Sequence, residues 1–188
     1  VKRDNPDVYA IKIMNHIFGG GSFGSILVEK VRSDEGLAYS VFSYYNTESR
    51  DYGTSGAVCQ TKSKSTMRAL ELMKQVMLKM QNEKVTAKKL QWAKDTFVNG
   101  FVFEFSKPSQ QVLKPMMLEY NHMPADFYEK YLDNIRKVTV DDVQKAAKKY
   151  LHPDKLSIIL VGNPAEFEKP LESLKMDIKE IKLEDFVE

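Results

Sequence analysis

Cysteine is almost absent from this chain: Cys59 stands alone, which excludes an internal disulfide framework and makes a buried, inert thiol the expected role. Histidine is nearly as scarce. His16, His122 and His152 are the only three in 188 residues, and none belongs to an H-x-x-E-H pair that would place two zinc ligands on one helix face. Glu119 and His122 form one E-x-x-H pair, whereas a carboxylate-bridged di-metal bundle needs two such pairs and two further Glu. The chain therefore carries no metal ligand set and no catalytic group of its own; surface or loop positions are expected for the three histidines. Charge of one sign is lacking too: 28 Lys and Arg against 26 Asp and Glu leave a formal net charge of +2. The interspersed signs form no basic stripe, so no nucleic-acid partner is expected. No run approaches the roughly 18 apolar residues of a membrane span, and no secretory leader is recognisable. The expectation is a soluble protein, cytoplasmic or periplasmic, with no membrane partner. The chain begins at Val1 rather than Met, as a processed or excised piece would.

What the chain does have is concentrated between Phe18 and Val41, in F-G-G-G-S-F-G-S-I-L-V-E-K-V-R-S-D-E-G-L-A-Y-S-V. Gly19, Gly21 and Gly24 match the G-x-G-x-x-G dinucleotide pattern, and Gly20, Ser22 and Gly24 match the G-x-S-x-G nucleophile elbow. Both motifs work only between a strand and a helix, because the helix N-terminus supplies the N–H groups that meet a phosphate or an oxyanion. Asn5-Pro6-Asp7 reads as a helix start, with Asn5 as cap and Pro6 at the first helical position. The segment Val8 to Phe18 is long for a strand and ends in glycine as helices do, although Tyr9, Ile11 and Ile13 alternate with period 2 as in a strand. A helix there undermines both motifs and leaves a flexible glycine connection with residues at positive φ. A phosphate loop with lysine fails too, since no Lys follows Gly24 at the required place.

The remaining pattern divides into strands followed by helices. Residues 24–34 form a short helix with Leu27, Val28 and Val31 on one side, closing at Gly36. Ala38–Tyr45 and Tyr52–Thr61 are strands of a hairpin around the polar turn Asn46–Asp51. Ser65–Asn82 places Met67, Leu70, Met73, Val76, Met77 and Met80 at helical spacing, a core-filling stripe rather than a cofactor groove. Thr86 caps a helix running to Phe105, whose aromatic end Phe101–Phe105 reads equally as a strand. Helices follow over 109–120, 125–135 and, behind the capping pair Thr139 and Asp142, up to Leu151. Leu156–Val161 reads as an apolar strand. Residues 1–165 make one domain and the charged segment 166–188 a solvated helix or tail. This ordering predicts an α+β fold with helices on one face of a mostly antiparallel sheet.

From Asn5 to Gly162, the order N-H-I-F-G-G-G-S-F-G-S-I-L-V-E-K-V-R-S-D-E-G-L-A-Y-S-V and its surroundings resemble the second, non-zinc domain of the insulinase and pitrilysin zinc peptidases, the group that includes mitochondrial processing peptidase. The resemblance implies that the first sheet strand, which precedes the N-P-D helix in that family, is missing here. A bare sheet edge of that kind is expected either to associate, giving a homo-oligomer, or to leave its neighbourhood loose. It also implies a zinc-bearing catalytic domain or subunit as partner, with the H-x-x-E-H motif and the zinc located there, and a peptide as substrate. Arg32 and Tyr39 correspond to an Arg/Tyr pair that hydrogen-bonds the bound peptide's carbonyl groups. Gly20, Gly21 and Ser22 correspond to a glycine-rich loop that touches substrate. The alternative the family offers is a non-catalytic structural or assembly subunit, which has no need of the pair.

Overall fold

Ile11, Ile13, Met14 and Ile17 are all fully buried, and no residue from Val8 to Gly19 is exposed. The helix that carries them is therefore enclosed on several sides, by the hairpin and by three later helices. The computed structural model, which describes residues 1–48 and 51–182, places this helix, α1 (Val8–Asn15), at the centre. It continues without a break into a π-helical turn, His16–Gly20. The helical expectation for this segment holds, and the period-2 alternation that argued for a strand is explained by burial on opposite sides of one helix.

Its start lies two residues later than the N-P-D pattern suggests. The Asn5 carboxamide oxygen accepts from the Asp7 N–H at 2.8 Å, forming an Asx turn ahead of the helix. The Asp7 carboxylate instead accepts from Lys149 Nζ and the Tyr150 hydroxyl, both at 2.7 Å. These bonds hold its pKa below the usual carboxylate value.

Among the described residues the sheet is a single antiparallel hairpin of β1 (Ala38–Tyr45) and β2 (Ser55–Thr61). One face rests on α1, its π-helical turn and α2 (Thr66–Asn82). The other is open, with Phe42, Tyr44 and Val58 exposed. Helices α3 (Ala87–Phe101), α4 (Pro108–Tyr120), α5 (Phe127–Lys137) and α6 (Val140–Tyr150) complete the order, and α6 packs against both α1 and α2. This is the expected α+β arrangement. The aromatic end of α3 passes into a 3-10 turn, Val102–Phe105, so the helical alternative holds there. Met67, Met77 and Met80 of α2 are buried, as core filling requires.

One expected strand does not form. Among the described residues, Leu156–Val161 pairs with no neighbour, although Leu156, Ile158 and Leu160 are half-buried while Ser157, Ile159 and Val161 are exposed. Its side chains keep strand alternation, but a strand is defined by backbone hydrogen bonds to a neighbour, and none runs alongside. The second hairpin strand is likewise shorter than read from sequence, starting at Ser55. The following segment holds 3-10 turns at Pro164–Glu166 and Leu171–Leu174, tied to α2 where Glu168 accepts from the Arg68 N–H at 2.6 Å. Ser49 and Arg50 of the expected turn and residues 183–188 of the expected tail lie outside the described residues.

Two substitutions separate core burial from capping. Ile13→Ala is expected to cost about 2–5 kcal/mol, as for a fully buried aliphatic side chain. Thr139→Ala, which removes the oxygen that accepts from the Asp142 N–H at 3.2 Å, is expected to cost about 1 kcal/mol. Chemical denaturation of both variants checks the ranking; equal losses would contradict the central position of α1.

Candidate functional site

The glycine-rich stretch is held by close packing rather than left flexible. None of Gly19, Gly20, Gly21 or Gly24 has positive φ; the left-handed position is Ser22, at φ 52°. What these glycines provide is the absence of a side chain. A Cβ on Gly19 would lie 2.6 Å from Ser43 Oγ and 2.7 Å from Ser43 N, and one on Gly24 would lie 2.3 Å from the Trp92 ring. The turn is thus pressed between β1 and α3. Lys89 of α3 ties it down by donating to the Gly24 carbonyl at 3.1 Å and pairing with Glu29 at 2.5 Å. The Ser25 hydroxyl, fully buried, donates to the Ser22 carbonyl at 2.7 Å.

His16 forms the floor of this turn. Its ring lies 4.8 Å from that of Trp92 and 5.0 Å from that of Phe97, and its buried Nε2 has no hydrogen-bond partner. The surface or loop position expected of it is wrong, because the π-helical turn rotates it inward. Burial pushes its pKa below the ordinary histidine value. His122 and His152 are exposed and distant in sequence, and among the described residues no three His, Cys, Asp or Glu side chains are placed to hold a metal ion. The residues present do not fit zinc. Cys59 is half-buried against the core with its thiol pKa raised by burial, the opposite of an activated nucleophile.

Beyond the turn, a second π-helical segment, Val28–Asp34, carries Arg32. π-Helical turns are rare and concentrate at functional sites, and here two of them flank one cleft of about 230 Å³. Gly20, Ser22 and Arg32 line it together with four consecutive β1 residues, Ser40 to Ser43. Four consecutive residues include both faces of a strand, so the cleft runs along the edge of β1. Among the described residues, that is the edge β2 leaves unpaired. The Arg32 guanidinium lies 4.8 Å from the Phe23 ring centroid, a cation–π contact that orients the fork.

Gly21 and Tyr39 are placed differently. Gly21 packs on Trp92 and its N–H donates to the His16 carbonyl at 2.9 Å, so it faces away from the cleft. Tyr39 is 84% exposed and does not line the cleft. It occupies a β-bulge: Ala38 pairs with Thr61 and Ser40 with Gln60, leaving Tyr39 as the extra residue. The bulge reverses the alternation so that Ala38 and Val41, three apart, are both buried, and it re-aims the phenol outward. Alternation of apolar residues gives no sign of a bulge, which is why the sequence pattern missed it. The roles of Trp92, Phe23 and Lys89 were also invisible, because each depends on α3 or the turn folding back.

Comparison with known proteins follows the same lines. Residues 1–97 match the family described as "Peptidase M16 inactive domain". The chain is 27% identical over 163 residues to a Helicobacter pylori protein named "Non-peptidase homolog YmxG", covering 87% of this chain and 37% of that protein. It is 25% identical over 105 residues to a Bacillus subtilis protein named "Uncharacterized zinc protease YmxG", covering 56% of this chain and 25% of that one. Among solved structures, a peptidase M16 inactive domain from Pseudomonas fluorescens superposes with a TM-score of 0.75 at 27% identity, over 82% of this chain and 37% of that one. The chain thus spans little more than a third of the length of the Helicobacter relative.

Gly24→Ala is expected to destabilise the fold by about 1–3 kcal/mol through overpacking against Trp92, whereas Gly100→Ala, where a Cβ would meet nothing within 4 Å, is expected to be neutral or stabilising. Thermal melts of the pair check this.

His16 predicts a pH dependence. Its folded pKa is depressed, so the folded state binds fewer protons than the unfolded one and stability rises with pH. The contribution is complete above the unfolded value of about 6.5 and is lost as pH falls through the lower folded value. Melting temperature should therefore fall between pH 7 and 5, and His16→Phe should flatten that slope; an unchanged slope would contradict the assignment.

Proposed function

The chain belongs to the Peptidase M16 inactive-domain family, and from that premise we propose that it is the substrate-side, non-zinc half of a zinc peptidase. In this reading an extended peptide lies along the unpaired edge of β1, which offers free backbone donors and acceptors of the kind peptides use when they add to a sheet. The observation that carries the proposal is the cleft itself: an Arg fork anchored on Phe23, a Ser at positive φ and a bare glycine beside one strand edge. Arg32 and Ser22 supply donors to the peptide's carbonyl oxygens, and Gly20 leaves room for its backbone to approach. Tyr39, re-aimed by the bulge, reaches outward to a zinc-bearing catalytic domain or subunit assembled against the open side. There the phenol donates toward the charge that develops on the scissile carbonyl oxygen. Gly21 takes no part, since its N–H is already spent on His16.

A second reading, a non-catalytic structural or assembly subunit, is favoured by one specific observation: the Helicobacter relative is named a non-peptidase homolog. The two differ in what they ask of Arg32 and Tyr39. In the assembly with the zinc-bearing half, Tyr39→Phe is expected to lower turnover about 100- to 1000-fold with an unchanged melting temperature. Arg32→Lys keeps the charge but loses the planar fork, and is expected to be damaging as well. Peptide hydrolysis measured beside thermal stability decides: wild-type rates for both variants would reject the peptidase reading in favour of the assembly subunit.

A further inference from the structure

A cavity of about 430 Å³ lies between α1, α3 and α5, and it shares no lining residue with the hairpin cleft. Its walls are aromatic, with Tyr9 from α1, Phe97 and Phe101 from α3, and Phe127, Tyr128 and Tyr131 from α5. The Phe101 and Tyr131 rings stack at 5.3 Å, and Phe105 meets Tyr128 edge-on at 5.2 Å, so the walls are braced by one another. Such walls suit a flat apolar body.

The charges in this cavity do not balance. Arg3, Lys12 and Lys114 line it against one carboxylate, Glu104. Glu104 is committed to Lys114 at 2.7 Å, and Lys114 also lies 5.2 Å from the Tyr128 ring centroid. Among the described residues Lys12 and Arg3 have no ion pair. Lys12 Nζ sits 5.5 Å from the Tyr131 centroid, and burial, followed by the nearby Arg3 guanidinium, pushes its pKa below the ordinary lysine range. Tyr131 is driven the other way, to about 12, chiefly by burial, so its hydroxyl keeps its proton at neutral pH. Glu104 acts on Lys12 from across the cavity but is paired to Lys114; an ammonium held against aromatic rings without an ion pair of its own is costly, and an anion bound beside it would relieve that cost. Arg3 adds a planar fork suited to two parallel bonds to a carboxylate.

The geometry points to a second binding site in this cavity, one that takes a single carboxylate carried on an aromatic or similarly flat apolar body. Two cations without an ion pair match one carboxylate, one of them a fork that spends only a long 3.5 Å bond on the Thr47 carbonyl; the aromatic walls match the body and give no place to a hydrated phosphate. The same chemistry is offered by a free aryl-alkanoic acid and by the C-terminus of a peptide ending in an aromatic residue. The site does not depend on the peptidase reading.

The test is calorimetric titration of the chain with 3-phenylpropanoate and its amide, and with glycyl-glycyl-phenylalanine bearing a free or an amidated C-terminus. The acid forms are expected to bind at least about tenfold more tightly than the matched amides, a difference of about 1.4 kcal/mol. Lys12→Met, which keeps the packed stem, and Arg3→Gln are each expected to weaken the acids by a similar factor and leave the amides unchanged. Arg3→Gln decides if Lys12→Met does not fold. Binding by the small acid identifies free acids as the ligand, and binding by the tripeptide alone identifies a peptide C-terminus; either outcome upholds the site. Equal binding of acid and amide, indifference to both substitutions, competition by inorganic phosphate as strong as by the acid, or no saturable binding of any probe would overturn it.

Discussion

Enclosure of α1 is the constraint on which the rest of the structure depends. With Ile11, Ile13, Met14 and Ile17 buried at once, this helix needs the hairpin on one side and α3, α5 and α6 around the others. An isolated two-stranded hairpin is marginal in water. β1 and β2 are stable here because Val41 and Ser43 rest on the α1 segment, with Ser43 Oγ donating to the Asn15 carboxamide oxygen at 2.8 Å. The polar contact at that crossing is satisfied from both sides, which a buried hydroxyl requires.

The site follows from the way α1 ends. A helix this deeply buried can leave the core only through residues small enough to pass between β1 and Trp92, and Gly19, Gly21 and Gly24 are those residues. The widened π-helical geometry lets His16 turn inward while Ser22 turns out at positive φ. One packing requirement therefore produces a rigid turn, an inward histidine and a cleft along the neighbouring strand. The chain belongs to the M16 inactive-domain family, and the Pseudomonas inactive domain superposes on this fold.

The open parts of the molecule share a cause. Among the described residues, the outer hairpin face of Phe42, Tyr44 and Val58 is uncovered, and Leu156–Val161 alternates like a strand with no partner beside it. Both show apolar surface without a neighbour to bury it. Exposed apolar patches of this kind are characteristic of interaction surfaces.

By itself the sequence determined what depends on neighbours along the chain. The order of elements, the Thr139 and Asp142 capping box, the methionine stripe of α2 and the helical character of the segment before the glycines all follow from spacing and local chemistry. The resemblance carried by the stretch from Asn15 to Val41 identified the family. Tertiary structure alone decided the rest, because each remaining feature is a contact between residues far apart in sequence. Gly21 faces inward because Trp92 lies against it; Tyr39 faces outward because β1 and β2 are out of register by one residue at its position. Leu156–Val161 carries a strand pattern without being one, since alternation is a property of one segment and a sheet is a property of two. The surplus charge around Lys12 exists only because α1, the chain's first residues and the 3-10 turn after α3 meet at one cavity, and no spacing along the sequence records that meeting.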